Sequence, residues 1–450
     1  MMNDLYIEEL KELIAIPSIS ALREHKEDIR KCAEKLCELL TLKGFAAKLL
    51  ETRGNPIVFG EYKVNRNAKT VLVYNHYDVQ PATKEEWNSD PFKSIIADDE
   101  NGNKVIIGRG STDDKGPLLA ILHAASDLSK NNELAVNVQV LYEGEEETGS
   151  EHFKETLEIH KKKLGINPDI VLVSDTIWFE DNPSISYGLR GLLYAFLRYT
   201  SGTKDGHSGM VGGSVVNPLK VLTKAVSSCY DEHTGKVLIP QFYDDILPFS
   251  KQEFQELEKS ATLFNLEKFK LDTGFTKFTT NNKKEFLMRR FFEPTFEIHG
   301  YLGGYSGIGA KTVVPKTAEA KVSMRLVPGQ IPEQIQKNFT EFIKRIDKNI
   351  EIEFSSCKPA FLTEINNPYM QLAQKIATKV FGKKSIFIRE GGTIGAVTDI
   401  QELFPTVPVV LLAMSKITDN YHGINENFKL KQAELGIECV KEYLREIAKI

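Results

Sequence analysis

Two apolar rhythms alternate along the chain. Residues from about 3 to 16 and from about 26 to 43 carry apolar side chains at helical spacing. In the second stretch Ile29, Ala33, Leu36 and Leu40 recur at i, i+3 and i+4, and Gly44 supplies a stop. Short runs that alternate, or are apolar throughout, predict strands at 45–52, 57–59, 70–75, 135–142, 169–175, 385–388 and 406–412. Gly116 and Pro117 fit an N-cap and a first helical position, with helix over 118–128. Strands alternating with helices predict an α/β fold, with a mostly parallel sheet and helices on both faces.

Between about 187 and 360 the rhythm changes. Residues 191–201 and 318–327 read as strands, the second alternating through Ala320, Val322, Met324 and Leu326. A helix starts at Asn217-Pro218, another spans about 332–347, and a strand follows at 350–355. This is an inserted α+β unit, which divides the chain into a first catalytic part at 1–187, the insert at 188–360 and a second catalytic part at 361–450. Within the insert, 230–300 is an extra segment rich in Lys, Phe and Asp, with a helix near 251–270.

The predicted strands end in chemistry. The run at 70–75 closes on His76-Tyr77-Asp78, where residues two apart share a face, so Asp78 can fix the His76 ring. The glycine-rich loop 107–117 presents Asp113 and Asp114. The run at 135–142 closes on Glu143-Gly144-Glu145-Glu146-Glu147-Thr148-Gly149, and the run at 169–175 on Asp175. His422 lies a few residues beyond the last strand. An isolated run of glutamates is ordinarily a solvated turn, and an isolated HxD a polar strand end. Ligands in parallel sheets collect at the carboxyl ends of the strands, so these residues converge on one edge. His76, Asp113, Glu146 or Glu147, Asp175 and His422 form a nitrogen and oxygen donor set suited to Zn2+, Mn2+ or Co2+. Five donors exceed one tetrahedral ion and suit two ions roughly 3.5–4 Å apart, with one carboxylate between them.

Composition narrows the class. The chain has 450 residues, 41% apolar and 26% charged, as expected for a globular protein of two domains. A net charge of −5 argues against a nucleic-acid partner. No apolar run is long enough to cross a bilayer, and no basic and apolar leader precedes the first helix. Cys32, Cys37, Cys229, Cys357 and Cys439 are scattered and odd in number, which suits free thiols and the cytoplasm.

Taken together, His76-Tyr77-Asp78, the Gly108–Gly116 loop, Glu146-Glu147-Thr148-Gly149-Ser150, Asp175, Asp205-Gly206-His207-Ser208-Gly209 and His422 resemble the M20 family of binuclear metallopeptidases. Gly307 to Pro315, Arg325-Leu326-Val327-Pro328 and Arg389-Glu390-Gly391-Gly392 fit its carnosine-dipeptidase-like branch. The resemblance implies a zinc-exopeptidase-like catalytic domain and an inserted lid that dimerises. It implies His76, Asp113, Glu147, Asp175 and His422 as metal ligands, with Asp113 bridging and the peptide to Asp114 cis. Asp78 would orient His76, Glu146 would be the general base, and His207 would reach a neighbouring subunit's site. Thr312, Arg325, Gly392 and Thr393 would hold a small peptide substrate. Glu145 departs from the family pattern, where that position is more often uncharged.

The expected reaction is two-metal hydrolysis of a dipeptide or short peptide, with Glu146 moving the proton. Deacylation of an N-acyl amino acid is the alternative within the same chemistry. A metal-free binding protein on the same scaffold would lack a ligand or the base, and none is missing.

Overall fold

The computed structural model describes residues 4–450. Nine strands form the large sheet. Along its path they are Ala46–Leu50, Ile57–Tyr62, Asn137–Glu143, Thr70–His76, Ile170–Val173, Val409–Leu412, Ser184–Leu189 and Phe361–Leu362, while Ile386–Glu390 pairs with Ser184–Leu189 off the path. The four strands Asn137–Glu143, Thr70–His76, Ile170–Val173 and Val409–Leu412 are mutually parallel, and antiparallel ladders flank them on both sides. The expected mostly parallel sheet is therefore present, with its parallel part at the centre.

Burial on both faces explains why these strands read as continuous apolar runs. Val71, Val73, Val138, Val140, Ile170 and Leu172 face one way, into a core with the helices Asp4–Ile14, Lys26–Leu42, Lys115–Lys130, Pro368–Phe381 and Leu430–Ile447. Leu72, Tyr74, Leu141, Val171 and Val173 face the other way, against Phe153–Leu164 and Gly395–Leu403.

Several boundaries differ from expectation. The first helix ends at Ile14, short of the expected 16, and its expected start at residue 3 lies outside the described residues. Gly116 is not an N-cap. Asp114 takes that place, and Gly116 and Pro117 are the second and third helical residues. A Cβ at Gly116 would sit 2.1 Å from the Ser111 carbonyl oxygen, so packing against the loop requires glycine there. Helix Phe153–Leu164 buries only Phe153, Thr156 and Leu157, too few to betray a period. The helix expected near 251–270 is two, Lys251–Leu263 and Leu266–Thr273, with the Asn265 side chain capping the second. A further helix, Lys283–Phe291, follows.

A second, antiparallel sheet has the order Thr295–Leu302, Thr317–Leu326, Gly191–Thr200, Glu351–Lys358. Leu193, Ala195, Leu197, Ala320, Val322 and Met324 point to its helices Pro218–Ser227 and Pro332–Ile346. The extra segment joins this unit to the large sheet. Leu257, Phe264, Leu287, Phe291 and Phe292 pack on Ile386 and Ile388, and Glu253 ion-pairs with Arg389.

Near the amino end, three helices meet over a buried carboxylate. Glu9 accepts a hydrogen bond from Lys43 Nζ at 2.8 Å and lies 2.6 Å from His123 Nε2. Burial pushes Glu9 up, but the hydrogen bonds and charges of His123 and Lys43 outweigh it and leave the carboxyl below its ordinary range. Stability from such a group is present above the unfolded pKa and fades as pH falls. Glu9→Ala is expected to cost roughly 2–4 kcal/mol at neutral pH by stranding the buried Lys43 ammonium and leaving His123 without its hydrogen-bond partner. Urea unfolding of both proteins checks this, with the gap narrowing as pH falls through the carboxylate range.

Candidate metal centre

The centre is built from strand ends and one late loop. Thr70–His76 delivers a fully buried His76 at its carboxyl end. His76 Nδ1 lies 3.0 Å from the Asp78 carbonyl oxygen and 3.4 Å from Asp78 Oδ1, while Nε2 is 3.0 Å from Asp113 Oδ1. Burial opposes a charge on this ring, but Asp113 and Asp78 prevail and hold its pKa well above the ordinary value. Asp78 also accepts the backbone N–H groups of Glu146 and Glu147 at 3.2 and 3.1 Å. One carboxylate thus sets both the histidine and the paired glutamates.

The three consecutive glutamates part company. Glu145 turns away, accepting from Asn55 N–H at 2.9 Å and lying 2.9 Å from His152 Nδ1. Glu146 and Glu147 turn toward the centre. Gly144 must be glycine because a Cβ there would lie 2.4 Å from the Tyr77 hydroxyl.

Asp113 is held by its backbone. Glu426 is fully buried, and its Oε1 accepts from the N–H groups of Thr112 and Asp113 at 2.9 and 3.0 Å. Its Oε2 accepts from Gly110 N–H at 2.9 Å and Arg109 Nη1 at 2.7 Å. Arg109 Nη2 donates to the Gly423 carbonyl at 3.0 Å, which ties the loop to the His422 segment. The Asp113–Asp114 peptide is cis. Asp113 then offers Oδ1 to His76 and Oδ2 to His422, whose Nε2 is 2.8 Å away. His422 Nε2 also lies 3.3 Å from Glu147 Oε2, which accepts from Gln80 at 2.6 Å. His422 has φ of 58°, a left-handed conformation uncommon for residues with a Cβ and frequent at functional sites. Asp175 Oδ1 is 3.9 Å from His76 Nε2 and accepts from the Tyr421 hydroxyl. Burial raises Asp175 to about 7, against the pull of His76.

Ligand atoms of His76, Glu146 and Asp175 lie within 4.8 Å of one another, and so do those of Asp113, Glu147 and His422. Among the described residues, the only cationic side chains ion-paired with these carboxylates are His76 and His422. Glu147 Oε1 is buried without a hydrogen-bond partner, and Asp113 Oδ2 is buried with only the His422 ring, 2.8 Å away, to meet its charge. Buried oxygens of this kind need a counter-charge, and imidazole with carboxylate is the donor chemistry of borderline divalent cations. The residues fit a pair of them.

The other predicted residues fall into two groups. Arg325 Nη1 donates to Thr393 Oγ1 at 2.9 Å, and the Gly392 carbonyl accepts from Arg190 N–H at 3.0 Å. This turn abuts the glutamate segment, since a Cβ at Gly395 would lie 3.2 Å from the Gly149 carbonyl. His207 and Thr312 form a separate exposed pair, with Nε2 and Oγ1 3.2 Å apart. Among the described residues this pair has no hydrogen bond or ion pair with the centre. Sequence reasoning missed Glu426, Tyr421 and Gln80 as partners of the centre. Glu426, four residues after His422, was the readable signal, as a lone acid in the same short loop.

A parallel sheet whose strand ends, with one late loop, gather two histidines and several carboxylates unmatched by lysine or arginine is the arrangement of a metallohydrolase. The chain matches peptidase family M20/M25/M40 over residues 72–446 and belongs to that family. Cys-Gly metallodipeptidase DUG1 of Candida albicans is 32% identical over 461 residues, spanning 98% of this chain and 94% of the relative. Beta-Ala-His dipeptidase of Homo sapiens is 30% identical over 404 residues, spanning 88% of this chain and 78% of the relative. The crystal structure of an M20 family metallo-carboxypeptidase from Sulfolobus solfataricus matches with a TM-score of 0.92 at 33% identity, covering 100% of both chains. The protein is a metal-dependent peptidase.

Glu426→Gln places an amide N–H against backbone N–H donors. We expect retained secondary structure by circular dichroism and metal affinity lowered about 10–100-fold in chelator competition, as for other partners that orient ligands.

Proposed function

We propose that this peptidase hydrolyses dipeptides and other short peptides with two divalent cations, Zn2+ or Mn2+, with Co2+ also suited to the donors. The observation that carries this reading is Asp113, whose two carboxylate oxygens face His76 and His422 separately. In this reading Asp113 would be shared, His76 and Asp175 would hold one ion, and Glu147 and His422 would hold the other. When bound, such ions acidify water and polarise a carbonyl.

The chain's own groups do the rest. Glu146 takes a proton from water and returns it to the leaving amine. Its carboxylate has no hydrogen-bond partner among the described residues and is free to exchange a proton. Burial, opposed by His76 and reinforced by Asp175 and Glu147, holds its pKa well above the ordinary value. Asp78 fixes the positions of His76 and both glutamates. Arg325, Gly392 and Thr393 receive the substrate's terminal carboxylate.

The unit at 188–360 acts as a lid and dimer contact, His207 meets the developing oxyanion in a partner's site, and Thr312 beside it helps hold the substrate. Their exposure in one chain supports a role completed by a second copy. Five free cysteines suit the cytoplasm. Among the described residues no helix is long and apolar enough to cross a membrane. The full-length relatives carry dipeptidase names, so the deacylase alternative is not favoured.

Hydrolysis of Ala-Ala, compared with N-acetyl amino acids under Zn2+, Mn2+ and Co2+, tests the substrate class. Preference for the acetylated compounds would overturn it. Glu146→Ala should keep its metal equivalents by elemental analysis yet lose at least about 100-fold in kcat. Equal loss of metal refutes its role as base. His207→Ala should lower kcat by about 100–1000-fold. Mixing the two inactive proteins should restore activity after subunit exchange, and no recovery argues against a shared site.

A further inference from the structure

A cavity of about 1020 Å³ opens between the second sheet and the extra segment, too large for a dipeptide of small residues. Its walls include the aromatic rings of Tyr194, Phe286 and Phe292. Its distinguishing feature is charge. Arg190, Arg290 and Arg325 all line it, each half-buried.

None of the three is ion-paired to a carboxylate within 4.0 Å among the described residues, whereas Arg289 beside them is paired with Glu285. Arg190 Nε donates to the Gly391 carbonyl at 3.0 Å, and its buried Nη1 has no partner. Arg325 meets Thr393 Oγ1, and Thr393 in turn donates to the Arg190 carbonyl, so these two side chains are fastened to one turn. Arg290 lies over the rings of Phe269 and Phe291, at 5.0 and 4.8 Å from their centres. The acids nearby are few. Glu293 and Glu297 line the cavity, and both are exposed. Glu297 acts on Arg190 at a distance, and Glu390 and Glu180 on Arg290. Burial first, then repulsion from Arg325 and Arg290, lowers Arg190 to about 10. Three guanidiniums held together without counter-ions are costly unless an anion arrives.

One terminal carboxylate satisfies Arg325 and Thr393 in the reading above. Two guanidiniums remain. We infer that Arg190 and Arg290 receive a second carboxylate, so the preferred substrates are peptides ending in aspartate or glutamate. This deepens the peptidase reading and rests on it. The turn Gly391–Gly395 joins this cavity to the metal centre through Gly149 and Ser150, which places the acidic residue on the leaving-amine side.

The test uses the metal-loaded enzyme. The ratio of kcat/KM for Ala-Glu over Ala-Gln should be about 10–100, carried mainly by KM. In Arg290→Met the ratio should fall toward one. Calorimetry with free glutamate and free glutamine should show the same preference, and the same loss in the variant. Equal kcat/KM for the two peptides, with equal affinity for the two amino acids, overturns the inference. If Arg290→Met does not fold, Arg290→Lys and the salt dependence of the wild-type ratio decide, since a charge preference shrinks with salt. If no peptide is cleaved, the peptidase reading fails by itself, and glutamate against glutamine binding still decides the pocket.

Discussion

Concentrated negative charge at one sheet edge governs this protein. Asp78, Asp113, Asp175, Glu146 and Glu147 converge there, and no lysine or arginine among the described residues forms an ion pair with them. Like charges so close disfavour ionisation together unless cations lie among them. The surroundings do not relieve the repulsion; they fix it. Asp78 is held by the N–H groups of Glu146 and Glu147, and Asp113 by the grip of Glu426 on its loop. A scaffold that enforces such crowding at the cost of stability fits a site organised for metal.

Much of this was legible because parallel strands write their burial plainly. Runs such as Val71 to Tyr74 are apolar on both faces, and the chemistry stands where the runs stop. His76 and Asp175 could be found that way. The glutamates were harder, because adjacency in sequence does not reveal direction. Only the structure shows Glu145 engaged with His152 while its neighbours face inward. Glu426 was only faintly marked, for another reason. Three of its four hydrogen-bond donors are backbone N–H groups, which every residue has, so only the pairing with Arg109 could leave a side-chain trace.

The insert was read less well. Its sheet alternates clearly, because one face meets helices. The extra segment does not, because its phenylalanines pack on the edge strand Ile386–Glu390 and on one another at irregular spacing. The Lys and Asp between them hide a layer that walls the large cavity. That packing joins the two sheets and supplies one wall of the cavity inferred above to read the substrate's charge.

The order of the strands carries a consequence for how the chain is made. Val409–Leu412 lies between Ile170–Val173 and Ser184–Leu189 in the middle of the sheet. On the ribosome those two strands emerge about half a chain before the one that separates them. Until it arrives, both present open ladders to each other and to any nearby nascent chain, the condition that invites mispairing. His422 follows only ten residues after Leu412. Closing the sheet and completing the cation site are therefore nearly the same late event in biosynthesis.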